Sequence, residues 1–417
     1  MPDGPLIAND AVVTGLLLAT LGLIFATVRS ERPGFRRLYR YVPAILLCYF
    51  IPSLYNSLGL ISGESSRLYF VASRYLLPAV LVLLTLSIDL PAILRLGPKA
   101  LAMFLTGTAG IILGGPVAIL VMSVLAPEVV GGAGPDAVWR GLTTIAGSWI
   151  GGSANQAAMK EVFGVSDQVF SAMVAVDVLI GNLWTAVLLY LATAAPRIDA
   201  RLRADTTAID TLRERVEAFQ ARNTRIPALP DTMVILGIGF GSVGLGHFIA
   251  DPLARWISRE APGLERLSLT SSFFWLVVLT TTFGVILSFT RARKLEGVGA
   301  SRVGSAMLYF LIATIGMTMD LGAVVRQPGL FAVGLIWMAV HAGLLLLVGR
   351  LIRAPTFYFA VGSQANVGGA ASAPVVASAF HPALASVGVL LAVLGYALGT
   401  YGAWICGQLM RLAAPSP

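Results

Sequence analysis

Long apolar blocks alternate with short polar connections along this chain. The blocks fall near 9–28, 41–60, 69–88, 100–126, 138–160 and 166–194, and again near 231–250, 269–289, 300–319, 328–349, 355–379 and 382–410. Each approaches the roughly 20 residues that a helix needs to cross the hydrocarbon of a bilayer. Two sets of six such blocks predict an all-α polytopic membrane protein. Between the sets, residues 196–230 are polar, and the pattern around Thr211-Leu-Arg-Glu-Arg-Val-Glu-Ala-Phe predicts a short surface helix within a linker. The chain therefore divides into an N-terminal unit (1–195), a linker (196–230) and a C-terminal unit (231–417).

The two units share sequence in the same order. Ser87-Ile-Asp-Leu-Pro-Ala-Ile-Leu-Arg returns as Thr318-Met-Asp-Leu-Gly-Ala-Val-Val-Arg, and Gly147-Ser-Trp-Ile-Gly-Gly-Ser-Ala-Asn-Gln-Ala-Ala returns as Gly362-Ser-Gln-Ala-Asn-Val-Gly-Gly-Ala-Ala-Ser-Ala. Paired matches inside similar hydropathy profiles point to an internal duplication. Basic residues then set the orientation. Arg29, Arg32, Arg36, Arg37 and Arg40 place the first connection in the cytoplasm and the N-terminus outside. Twelve crossings would leave the linker, with its seven arginines, and Arg291-Ala-Arg-Lys294 on the outer side. If the glycine-rich segment of each unit enters and leaves on one side, each unit has five crossings and every basic cluster becomes cytoplasmic. An odd number of crossings inverts the second unit relative to the first, the inverted repeat found in many secondary transporters.

Composition removes the soluble classes. The chain is 57% hydrophobic and 12% charged, against about 25% charged in an ordinary soluble domain. Its net charge of +8 follows the loops, which is topology and no sign of a nucleic-acid partner. Asp3 and Asp10 precede the first apolar run and Arg29 follows it, the reverse of a signal peptide, so that run is expected to remain as a membrane helix. Cys48 and Cys406 lie in apolar runs without a paired context, and are expected as core fillers.

An unpartnered backbone group in hydrocarbon costs several kcal/mol, so a helix is interrupted there only where protein or a wet cavity covers the break. Two runs invite such a break: Gly147, Ser148, Gly151, Gly152, Ser153, Asn155 and Gln156, and then Gly362, Ser363, Gln364, Asn366, Gly368, Gly369 and Ser372, with Pro374 behind. Close helix packing accounts for the small residues but not for the amides. Freed N–H groups at a half-helix start suit an anion, and freed carbonyls suit a cation. Asp177 lies within an apolar run, where a carboxylate costs about 2.5–3.5 kcal/mol, and is expected to hold Na⁺ or a proton. Asn182, Asn366 and Thr400 are candidate further oxygens for that ion. A purely structural pairing of Asp177 with Arg74 or with a backbone donor is the alternative.

Other polar residues read as structural. Asp89 and Asp320 fall at helix ends beside Arg95 and Arg326 and suit caps or interfacial pairs. His247 and Asp251 lack a third ligand, and His341 and His381 lack acidic or cysteine neighbours. No HExxH, GxSxG or Walker pattern occurs, so no enzyme activity and no cofactor is expected. The seven tryptophans read as interface anchors and core.

Thr85-Leu-Ser-Ile-Asp-Leu-Pro-Ala-Ile-Leu, Gly147-Ser-Trp-Ile-Gly-Gly-Ser-Ala-Asn, Ala175-Val-Asp-Val-Leu-Ile-Gly-Asn and Gly362-Ser-Gln-Ala-Asn-Val-Gly-Gly-Ala-Ala-Ser-Ala-Pro together resemble the YjcL-type bacterial integral membrane family, domain of unknown function 819. More distantly, the paired glycine-rich segments resemble those of sodium/glutamate symporters. That resemblance implies a homodimeric elevator transporter of the bacterial inner membrane, with re-entrant hairpins and Na⁺ coupling. It places Ser148, Ser153, Asn155, Ser363, Asn366 and Ser372 in the substrate and ion site. The residues and the resemblance together lead to an expected carrier of a small polar, anionic organic solute, coupled to Na⁺ or H⁺. A cation/proton antiporter using Asp177 and a membrane enzyme are the rival readings.

Overall fold

The structure, a computed structural model, describes residues 5–202, 204, 228–319, 328–381 and 384–415, and among them every regular element is helical. The helix expected around Thr211, and Asp320 with Arg326, lie outside the described residues. The first half comprises α1 (Asp10–Val28), the arginine-bearing α2 (Pro33–Tyr41), α3 (Ala44–Ser57), α4 (Leu68–Leu86), the short α5 (Leu90–Leu94), α6 (Pro98–Leu125), α7 (Val138–Val162) and α8 (Asp167–Leu202). The second comprises α9 (Leu229–Glu260), α10 (Ser272–Ser288), α11 (Ala300–Gly316), α12 (Gly329–Leu351), α13 (Thr356–Val367), α14 (Gly369–Phe380) and α15 (Ala385–Ala413). Seven of these, α1, α4, α6, α8, α9, α12 and α15, contain stretches long and apolar enough to cross a bilayer, and two bent pairs raise the number to nine.

Local sequence sets the helix ends. The Asn9 carboxamide caps α1 by accepting from the N–H groups of Ala11 (2.8 Å) and Val12, and prolines begin α2 and α6 where the missing N–H has no helical partner. Helix α8 runs to Leu202, and Asp199 near its end is tied to the start of α13.

Helices from the two halves interleave into two groups. In one, α7 packs on α15, α12 on α6, α13 on α6 and α8, and α14 on α15 and α8. In the other, α4 packs on α10 and α11, α3 on α11, and α9 on α10. Glycines bring these helices close, as expected where lipid supplies no hydrophobic drive between them. Gly114 and Gly115 lie against Trp337, and Gly284 lies against Thr85 and Val82. Outward side chains such as Leu23, Phe248 and Leu347 stay exposed, as a lipid-facing surface requires.

Two elements break. Helix α7 is interrupted at Gly152 (φ 74°, ψ −175°), and Gly369 (φ 57°) separates α13 from α14. Each break is at the second residue of a Gly-Gly pair, in backbone regions that side chains disfavour. Both elements fold back as hairpins. Arg140, near the start of α7, donates to the carbonyl of Phe163 just past its end, and the Ser166 N–H donates to Pro135 at 3.1 Å. An unbroken helix of 25 residues would hold those ends roughly 37 Å apart. In the second hairpin the Phe357 and Phe380 rings meet at 5.3 Å. The mouth of the first hairpin lies at the start of α8. That of the second lies at its far end, where Asp199 accepts from the Thr356 N–H (2.7 Å) and hydroxyl (2.6 Å). Helix α8 has 36 residues and so is roughly 54 Å long, so the hairpins enter from opposite ends of the bundle.

Candidate functional site

The hairpin tips reach the middle of α8. Asp177 there is held by the first hairpin. Ser148 Oγ (2.7 Å) and Gln156 Nε2 (2.9 Å) donate to one carboxylate oxygen, and Trp149 Nε1 (2.8 Å) donates to the other. Ser148 and Trp149 come from the arm before Gly152 and Gln156 from the arm after it, so the break brings three donors onto one carboxylate. The Tyr49 hydroxyl, from α3 in the other helix group, donates to Gln156 Oε1 at 3.4 Å. No cation contacts Asp177 among the described residues. The alternative partner, Arg74, is instead bound to Glu161 at 3.2 Å.

The second hairpin meets α8 two turns further on. Trp184 Nε1 donates to Ser363 Oγ (2.8 Å), which lies 2.8 Å from His341 Nε2, while His341 Nδ1 lies 3.0 Å from the Gly107 carbonyl. A carbonyl only accepts, so Nδ1 carries the proton and the neutral Nε2 accepts the Ser363 hydroxyl. Gln364 Nε2 donates to Thr185 Oγ1 (2.8 Å) and, across the hairpin, to Ser372 Oγ (2.6 Å). Its other amide atom, Oε1, is buried with no partner. Gly368 has no Cβ because one would overlap Ser372 and Gln364. The indole of Trp149 packs on Trp337 (5.1 Å) and that of Trp184 on His341 (6.2 Å), which joins the two polar clusters by an aromatic wall.

Asn155 and Asn366 do a different job. Asn155 Nδ2 donates to the carbonyls of Gly151 (3.0 Å) and Tyr396 (2.9 Å), and its oxygen accepts from Thr400 (2.6 Å). Asn366 Nδ2 donates to Gly362 (2.9 Å) and Phe104 (3.0 Å), and its oxygen accepts from Thr108 (2.8 Å). The receptors share a pattern, Tyr396-Ala-Leu-Gly-Thr and Phe104-Leu-Thr-Gly-Thr. Each asparagine bonds the glycine carbonyl one turn earlier and staples its hairpin to a neighbouring helix. In both residues the amide NH₂ is committed to backbone carbonyls of the hairpin and the neighbouring helix.

The remaining expected residues divide. Gly151 presses against Gly399 at the tip, and Ser153, half-buried beside the break, makes no hydrogen bond among the described residues. Thr400 is committed to Asn155 and Thr281 (3.1 Å), not to Asp177. Asn182 is exposed and donates to Val178 at 2.8 Å. Five residues on from Asp177, it is turned about 140° around the helix, so the two do not share a site. Asp89 does cap α5, but its ionic partner is Arg293 (2.9 Å) in place of Arg95. Among the described residues no metal-ligating cluster forms: His247 bonds the Arg74 carbonyl, and Asp251 accepts from Ser272. Composition overlooked Trp149, Trp184, Thr185, Tyr49 and His341. The spacing from Asp177 to Trp184 and Thr185, seven and eight residues, places all three on one face of α8 and was the available signal.

An integral membrane protein, all-helical where described, with a cluster of buried polar side chains beside each of two helix breaks, is the class these features define. The chain belongs to the family described as "Protein of unknown function (DUF819)", which matches residues 15–413. It is similar to the uncharacterized membrane protein YjcL of Bacillus subtilis (strain 168), with 23% identity over 365 residues that cover 84% of this chain and 85% of that protein.

Proposed function

We propose that the protein is a secondary active transporter of the elevator type for a small polar, anionic organic solute, coupled to Na⁺ or H⁺. The observation that carries this reading is the pair of hairpins that enter from opposite ends and turn at glycines beside the middle of α8. The arms that follow Gly152 and Gly369 begin helices deep in the bundle, where free N–H groups favour an anionic group, and the arms that precede them end in carbonyls suited to a cation. Ser153, Ser372 and the unpartnered Gln364 Oε1 are the contacts offered to the solute. Asp177, surrounded by neutral donors, is the acceptor for the coupling ion, which offsets the about 2.5–3.5 kcal/mol cost of a bare charge in hydrocarbon.

The opposed hairpin mouths support two inverted repeats of five crossings each. Under that topology and the positive-inside bias, the N-terminus is outside and the linker cytoplasmic, in a bacterial inner membrane. Transport moves α6, α7, α8 and α12 to α15 against the outer helices, which by the resemblance to sodium/glutamate symporters serve as the dimer scaffold. A cation/proton antiporter is the second reading, favoured by the burial of Asp177 among neutral donors, with no basic side chain paired to it among the described residues. Thermal unfolding of the purified protein with amino acids, dipeptides and carboxylates, with and without Na⁺, finds the solute. Uptake into proteoliposomes under imposed Na⁺ or pH gradients then tests the reading. A stabilising solute that accumulates with the gradient supports the symporter, ion exchange without a solute supports the antiporter, and the failure to observe either refutes transport.

A further inference from the structure

A cleft of about 320 Å³ opens where the end of α8, the end of α12 and the start of α13 meet. Its walls are Leu191, Ile198, Leu202, Leu346 and Phe359, and its rim carries Arg201 and Arg350. Neither guanidinium has an ion-pair or hydrogen-bond partner among the described residues. The acid nearest in sequence, Asp199, is committed to the N–H and hydroxyl of Thr356. From Arg201 to Leu191 the cleft follows α8 for roughly 15 Å, passing from two exposed cations to apolar side chains. Leu346 is itself 47% exposed on the lipid side, so the cleft is open toward the bilayer.

We propose that this cleft is a binding site for an anionic phospholipid. The headgroup phosphodiester sits between Arg201 and Arg350, and an acyl chain lies along Leu191, Leu346 and Phe359. A guanidinium presents paired N–H donors that match two phosphate oxygens, and basic pockets between membrane helices are suited to such headgroups. A soluble anion would leave the apolar walls uncovered, and a zwitterionic lipid would bring its own cation against the two arginines. The site lies at the mouth of the second hairpin, so the lipid would brace α8, α12 and α13 together. This inference does not depend on the transport reading.

The test uses the full-length protein in detergent, with thermal unfolding followed by tryptophan fluorescence as dioleoyl phosphatidylglycerol, dioleoyl phosphatidylcholine or glycerol 3-phosphate is added. Phosphatidylglycerol raises the midpoint above phosphatidylcholine, and glycerol 3-phosphate leaves it unchanged. In Arg201→Gln/Arg350→Gln the two lipids become equivalent, with affinity for phosphatidylglycerol lower by on the order of tenfold per guanidinium. Arg36→Gln/Arg37→Gln, which removes two charges elsewhere, keeps the difference. Leu346→Trp fills the cleft while leaving both arginines, and it also lowers the phosphatidylglycerol increment. Native mass spectrometry of the wild type reads the same retention of lipid should the double variant fail to fold. Equal effects of the two lipids on the wild type, an undiminished increment in both cleft variants, or full stabilisation by glycerol 3-phosphate alone would overturn the proposal.

Discussion

Replacing Asp177 by asparagine separates a contribution to folding from the contribution to coupling proposed for it. The carboxylate accepts Ser148 and Gln156 on one oxygen and Trp149 on the other. Asparagine keeps the shape and one acceptor. With its oxygen toward Ser148 and Gln156, its NH₂ faces Trp149 Nε1–H, so two buried donor groups, the indole N–H and the new NH₂, are left without an acceptor at a cost of about 1–3 kcal/mol each. Removing a charge from the bundle interior returns about 2.5–3.5 kcal/mol. The terms oppose each other, so Asp177→Asn changes unfolding stability by no more than about 3.5 kcal/mol. Under the proposed transport reading, binding of the coupling ion should disappear with the charge. The assay compares wild type and variant for the dependence of thermal midpoint and tryptophan emission on Na⁺ and on pH, since Trp149 reports directly on the carboxylate. A variant that keeps the wild-type ion dependence removes Asp177 from coupling. A loss of stability well beyond that range shows that the carboxylate is structural.

Gly152→Ala places a side chain where φ is 74° and ψ −175°, and should lower stability by about 1–3 kcal/mol in denaturant titration; an unchanged midpoint would mean that the first hairpin does not turn there. Asn155→Ala and Thr400→Val remove the two halves of one staple, so their double-mutant cycle should give a coupling energy of about 0.5–3 kcal/mol. Strict additivity would dissolve the staple. Asp167→Asn leaves Lys160, only 4% exposed, without the carboxylate now 2.6 Å away. Because Asp167 is half exposed, the expected loss is about 1–3 kcal/mol, below the about 3–5 kcal/mol of a fully buried pair, and it should shrink in high salt; no change on substitution refutes the bridge.

Hydropathy made the helical membrane architecture and the two breaks legible, because hydrocarbon constrains length and backbone satisfaction so tightly. The glycine-rich runs contained both turns, although the breaking glycines, Gly152 and Gly369, were not singled out within them, and Asp177 stood out as an acid in an apolar run. Partnerships were not legible. Arg74 was a plausible mate for Asp177, but the meeting of Arg74 with Glu161 depends on how α4 docks at the mouth of the first hairpin. Asn155 and Asn366 resembled ligand groups, since a sequence shows that an amide is present but not that Tyr396, Thr400, Phe104 and Thr108 satisfy it. His341 looked isolated because Ser363 and Gly107, its partners, are distant in sequence.

The central claim is that the hairpin tips open to water from one side of the membrane at a time. Ser153→Cys, in a protein whose Cys48 and Cys406 are replaced by alanine, tests it without knowledge of the solute. In sealed proteoliposomes the thiol should react with a membrane-impermeant maleimide from one side, with a rate that shifts when the Na⁺ or pH gradient is reversed. A thiol that never reacts from either side under any gradient, yet labels fully once the protein is unfolded, would contradict the account.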